Sequence, residues 1–170
     1  MSALTEHPLA AVSAWLADTA LSRGLQSVDW LVPAIQTTHI LAVAVVMSCV
    51  LLLSLAVFGL HAAEQPLART VARFVPGIRW GLPVLLVSGA LMITAEPDRA
   101  LPNPAFQLKM ALLVAAAVLT WAYAHRLRRM PAPVLDRPRR LAVRSAAAAA
   151  LLLWVAVLVA GRWIAYTLAR

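Results

Sequence analysis

The residues of this sequence that could do chemistry are ionisable ones set into long apolar runs. They are His39, Glu96, Lys109 and Arg162, with His61 and His125 at the far ends of two of those runs. An ionisable group surrounded by hydrocarbon costs about 2.5–3.5 kcal/mol or more, so each needs a partner or a purpose. An imidazole such as His39 could ligate haem iron or another metal ion. Ordinary packing is the competing account of it. Gln36 lies one turn earlier, near the same face, and could hydrogen-bond the ring or a bound ligand. Met47 and Cys49 follow eight and ten residues on. At about 100° per residue they sit roughly 80° to either side of His39, so a His-Met copper site within one helix has little support.

Arg162 is the most demanding of the set, between Leu158-Val159-Ala160 and Ile164-Ala165. It calls for an anionic partner. Glu96, Asp98 or a ligand carboxylate such as a haem propionate could serve. A structural ion-pair network, or simple snorkelling of the side chain, would also satisfy it. His61 and His125 stand at one depth, where two histidines could clamp a haem with Arg126, Arg128 and Arg129 at its propionates. The plainer account is a last-turn histidine suited to the helix dipole and the lipid headgroups. His39 and His61 are 22 residues apart. That is roughly 33 Å along a helix, so they cannot ligate one haem, although each could serve a separate one.

The elements that must position these groups follow from composition. Of 170 residues, 62% are hydrophobic and 13% charged, and mean hydropathy is +0.81. So little polarity cannot cover a water-soluble globule, and lipid is the natural solvent for the surplus apolar surface. A spanning helix needs about 20 mostly apolar residues. Four segments qualify: residues 40–60 in a helix starting near Pro33, residues 75–95, residues 105–125, and a stretch within 141–168 whose membrane part begins near Arg144. Glu96-Pro97-Asp98, Pro102-Asn103-Pro104, and Pro131, Pro133 and Pro138 separate them. Pro83 falls inside the second and should kink it. The expected fold is all-α: an up-down-up-down bundle over residues 31–170, preceded by an N-terminal segment over 1–30. In that segment Leu9, Val12, Leu16 and Ala20 share a helical face opposite Asp18. It reads as an interfacial amphipathic helix or as a helix packed outside the bundle. Gly89, Ala90 and the run 145–150 would allow close helix contact, although the alanines could equally be helix filler.

Net charge is +8 and the sequence pI is near 11.5. The basic residues flank the apolar runs and no stacking aromatics interleave with them, so nucleic-acid binding is not expected. Ten arginines (Arg69, Arg73, Arg79, Arg126, Arg128, Arg129, Arg137, Arg139, Arg140 and Arg144) fall on one side. Arg23, Arg99, Lys109, Arg162 and Arg170 fall on the other. That asymmetry predicts both termini outside and the basic loops in the cytoplasm of a bacterial inner membrane. Trp30, Trp80 and Trp163 lie near span ends, where anchoring or packing would account for them. Met1 to His7 has no basic region resembling a cleaved signal. The lone Cys49 permits neither an internal disulfide nor a paired-cysteine zinc site. No catalytic triad, phosphate loop or paired acidic centre points to a hydrolase. No carboxylate at mid-membrane points to proton-coupled transport.

Several short stretches carry a resemblance. They are Gln36-Thr37-Thr38-His39 with the apolar run to Gly59-Leu60, then Gly89 and Glu96, then Asn103-Pro104-Ala105-Phe106 with Gln107-Leu108-Lys109-Met110, and last Gly161-Arg162-Trp163. Over about residues 30 to 168 the chain resembles a family of small four-span bacterial inner-membrane proteins of unassigned function. It is more loosely similar to copper-resistance and b-type cytochrome membrane domains. The looser similarity implies a membrane redox or metal-related role, with haem b as cofactor. No second histidine lies level with His39, and Lys109 is the other nitrogen near that depth.

Three functions are expected to compete. The first is a haem- or quinone-linked electron-transfer subunit with an outer polar site of His39, Glu96, Lys109 and Arg162. The second is a non-catalytic subunit in a larger complex. The third is a metal or small-solute permeation protein. The implied partners are the bilayer and a redox protein or a second copy.

Overall fold

A computed structural model of the chain describes residues 8–60, 67–129 and 137–167. They form helices α1 (Pro8–Ala17), α2 (Ala20–Gln26), α3 (Leu31–Phe58), α4 (Leu67–Ala95), α5 (Pro97–Ala100), α6 (Pro104–Arg129) and α7 (Arg137–Thr167), with no strand among the described residues. The protein is an all-α bundle in which α3, α4, α6 and α7 are long and apolar enough to cross a membrane. The shortest apolar segment has 24 residues. At about 1.5 Å per residue that is about 36 Å, more than the roughly 30 Å of a hydrocarbon core.

Local chemistry sets the ends of these helices. Thr19 caps α2 by accepting from the Ser22 N–H at 3.2 Å, and this cap splits the single N-terminal helix expected from the sequence into two. Gly59, at φ 79°, ends α3 in the left-handed conformation. The Leu60 N–H then reaches the Leu55 carbonyl at 2.9 Å, and the Gly59 N–H reaches Ala56, which together make a Schellman cap. Asn103 starts α6, its side-chain oxygen accepting from the Ala105 N–H at 2.9 Å. Pro104 occupies the first helical position, where a missing N–H costs nothing.

The long helices pair as two antiparallel hairpins, α3 with α4 and α6 with α7. These join through α3 against α7 and, less extensively, α4 against α6. Lipid offers little hydrophobic drive for helices to associate, so close packing must supply it. Glycines on α4 allow it. A Cβ on Gly77 would stand 2.6 Å from Cys49 Sγ, and one on Gly81 would collide with Val46. The buried stripe of α3 is Ala42, Val46, Val50, Leu53 and Val57 at helical spacing. Of the alanine run, Ala147 and Ala150 are fully buried in the same core, whereas Ser145 and Ala149 face outward. The outward faces carry Leu41, Leu86, Val87, Val118 and Leu152, as a lipid-facing surface requires. Trp30, Trp80 and Trp163 are exposed, while Trp154 is buried and donates to Thr120 Oγ1 at 3.0 Å.

The structure adds to two expectations. The described side of α1 that is buried is Ser13, while Val12 is 47% exposed. Ser13 donates to Asp98, and Gln26 Nε2 donates to the Ala95 carbonyl at 2.8 Å. The N-terminal helices are therefore docked on the α4–α5 corner through these hydrogen bonds, while Val12 and Trp15 stay on an exposed face that an interfacial helix would turn to lipid. Second, α4 starts at Leu67 and runs unbroken through Pro76 and Pro83. The apolar run 75–95 expected from the sequence is thus the later part of a longer helix, with Arg79 inside both.

If Gly81 sets the α3–α4 distance, Gly81→Ala should destabilise the bundle by about 1–3 kcal/mol through overpacking. Val46→Ala on the same chain should recover part of that loss. Thermal unfolding in detergent checks it, and strictly additive losses would show that the glycine contact is not limiting.

Candidate functional site

The ends of the four long helices on the side where α3 begins, called outer below after the orientation expected from the sequence, bring together a small set of polar groups. His39 stands one turn outward of Ala42 on the buried stripe of α3 and is half-buried. Its ring lies against α4. Nδ1 is 2.8 Å from Ser88 Oγ, and Cε1 is 3.5 Å from where a Cβ on Gly89 would stand. Ser88 is buried. Its hydroxyl donates back to the Val84 carbonyl at 2.6 Å, with Leu85 O further off at 3.3 Å. A hydroxyl has one proton to give. With that proton on the Val84 carbonyl, Ser88 Oγ is left as an acceptor, and the His39 proton sits on Nδ1. Nε2 is then a bare basic nitrogen, and it makes no hydrogen bond among the described residues.

Lys109 of α6 completes the level. Its Nζ lies 3.5 Å from where a Cβ on Gly161 of α7 would stand, and it is near enough for its charge to act on the His39 ring. His39, Ser88, Lys109 and Gly161 therefore converge from all four long helices. The chemistry of the set is one hydrogen-bond-oriented imidazole beside one ammonium. It suits an electron-rich ligand or a single iron–imidazole bond. A histidine whose second nitrogen donates to an oxygen is the usual arrangement of a metal-ligating imidazole. Among the described residues no three His, Cys, Asp or Glu side chains converge, so a multi-ligand metal centre at His39 lacks co-ligands there. Cys49 packs against Gly77 instead.

The other expected site residues are placed elsewhere. Glu96 is exposed and pairs with Arg99 at 3.0 Å, and Asp98 takes the Ser13 hydroxyl. Both line a cleft of about 600 Å³ with Gln26 and Ala95 at the outer rim, so the carboxylates expected to serve Arg162 have partners of their own. Arg162, next to Gly161, is exposed, as is Gln36. At the opposite end His125 stacks on Trp121, with ring centroids 5.3 Å apart and planes 14° from parallel. His61 lies outside the described residues, so the inner histidine pair cannot be placed.

Two polar features escaped the sequence reading. Ser88 had only one signal, a hydroxyl beside Gly89 in an apolar run. Ser54 of α3 and Tyr123 of α6 are neighbours in the core, and neither hydroxyl completes a hydrogen bond among the described residues.

The tautomer is directly measurable. In ¹⁵N spectra of the histidine rings, His39 should show a protonated Nδ1 and an unprotonated Nε2. Ser88→Ala should move the proton towards Nε2. A wild-type ring protonated on Nε2 would reverse the assignment.

Compared with curated proteins and with solved structures, the chain has no match in either. A protein-family model does match, over residues 31–167. That stretch begins with α3 and ends with α7 and leaves α1 and α2 outside. With most of its length covered, including all four long helices, the chain belongs to DUF6644, a family of unknown function.

Proposed function

We propose that this chain is a haem- or quinone-linked electron-transfer subunit of a bacterial inner membrane, with both termini outside the cytoplasm. The observation that carries the reading is the His39 ring, whose Nδ1 lies 2.8 Å from Ser88 Oγ while Nε2 has no hydrogen bond among the described residues. A bare imidazole nitrogen is what a haem iron binds, and it also accepts a hydrogen bond from a quinol hydroxyl. The donor set fits haem through one imidazole, with Lys109 as the other nitrogen at that level. When bound, haem would supply a one-electron centre. The protein's own part is to fix the ring tautomer, hold a positive charge at the site and exclude water with the apolar residues below. Those residues include Val46, Val50, Leu53, Ala147 and Ala150, all fully buried. They fill the core, and no observation supports a permeation path through it. The second reading, a non-catalytic subunit of a larger complex, gains support from the outward-facing Arg79.

The orientation rests on arginine placement. With Arg79 set aside, nine cationic residues fall at the inner ends and five at the outer ends, out of 15 in all. A C-terminal alkaline phosphatase fusion should be active and a green fluorescent protein fusion dark. A bright fusion would invert the topology.

Cofactor content is checked on protein purified in mild detergent. A Soret band, or a quinone in the solvent extract, is expected in wild type and should fall at least tenfold in His39→Ala. Absence of both from wild-type protein would sink the electron-transfer reading.

A further inference from the structure

The cleft at the outer rim is stacked above the His39–Ser88 pair. Its lining includes Val32 of α3 and Ala95 of α4. Val32 precedes His39 by seven residues, and Ala95 follows Ser88 by seven. Seven residues at about 100° each fall about 20° short of two turns, and they rise about 10 Å. Val32 and Ala95 therefore share a helical stripe with the pair below them, on the seam where His39 meets Ser88 at 2.8 Å. Ile35 and Met92, both half-buried, are the side chains of that stripe in between. The cleft holds about 600 Å³, and Gln26, Glu96, Asp98 and Arg99 give it a polar rim.

The N-terminal pair α1–α2 forms one wall of this cleft, through Ala17 and Gln26. A turn over residues 27–30 joins that wall to α3. Two hydrogen bonds latch it to the opposite wall. Gln26 Nε2 donates to the Ala95 carbonyl at 2.8 Å, and the Ser13 hydroxyl donates to Asp98. Leu25 is the one buried apolar side chain of α1 and α2, whereas Val12, Trp15 and Leu21 are exposed. A segment with few buried apolar contacts opens at lower cost than the core it rests on.

We propose that the outer cleft is the aqueous vestibule of the His39 site and that α1–α2 are its lid, latched by Gln26 and Ser13. With the latch closed, Gln26 lies across the outer end of the α3–α4 seam and keeps bulk water from the stripe below. With the latch open, the wall swings on the turn at 27–30. Water and small polar solutes then reach His39 Nε2 past Ile35 and Met92. The inference rests on His39 as the working group of the outer site and not on the identity of a cofactor. Protein with neither a Soret band nor an extractable quinone still tests it.

The test uses the full chain in mild detergent and the probe diethyl pyrocarbonate, which acylates an unprotonated imidazole nitrogen. Peptide mass spectrometry reads the labelling rate of His39, with His125 at the opposite end as internal reference. Ser13→Ala together with Gln26→Leu removes both latch bonds and should raise the His39 rate at least tenfold, with the His125 rate unchanged. Gln26→Leu alone should raise it a few-fold, and this variant carries the test if the double variant fails to fold. Adding Val32→Trp fills the cleft and should return the His39 rate to that of the wild type. An unchanged His39 rate in the unlatched variants overturns the proposal. An equal rise at His125 overturns it in favour of general loosening. A raised His39 rate that Val32→Trp leaves untouched overturns it in favour of entry from the lipid face.

Discussion

The close approach of α3 and α4 is the constraint on which the remaining structure depends. In lipid the tails are as apolar as leucine, so helices gain little by hiding apolar surface from their solvent. They must instead fit. Gly77 and Gly81 remove the side chains that would otherwise strike Cys49 and Val46. That contact fixes the register of the first hairpin, and the register carries His39 to Ser88 and Gly89 two to three turns further out. The outer site is thus a consequence of packing at mid-span.

The polar groups of the bundle divide by how they are satisfied. Arg144 at the inner end of α7 donates to the α3 carbonyls of Val57 at 3.4 Å and Phe58 at 3.1 Å. A cation there suits the negative end of the helix dipole, and it ties the second hairpin to the first. Thr120 and Trp154 satisfy each other between α6 and α7. Ser54 and Tyr123 are neighbours in the core without a well-formed hydrogen bond among the described residues. Polar residues that local structure explains therefore sit beside others that it leaves open.

The outer level has an electrostatic asymmetry. The carboxylates near it are engaged at the rim, Glu96 by Arg99 and Asp98 by Ser13. What faces the four-helix convergence is an imidazole and an ammonium. That balance favours electron-rich ligands and disfavours free cations, which bears on the choice between a redox and a metal-transport reading more than the histidine by itself does.

Much of this was legible in the sequence, because lipid imposes a one-dimensional rule: about 20 apolar residues per crossing, with breakers between. The number of spans, their order, the all-α class and the corner at Glu96-Pro97 follow from that rule, as does the level shared by His39 and Lys109. The start of α4 at Leu67 did not follow, since the apolar run by itself begins near Val75. Nor did the dock of residues 9–26 on the α4–α5 corner, because it is made by hydrogen bonds from Ser13 and Gln26 to residues far off in sequence. Only the tertiary structure paired Ser88 with His39 and Ser13 with Asp98. A side chain's partner depends on rotation and register between helices distant in sequence, and hydropathy along one chain carries neither.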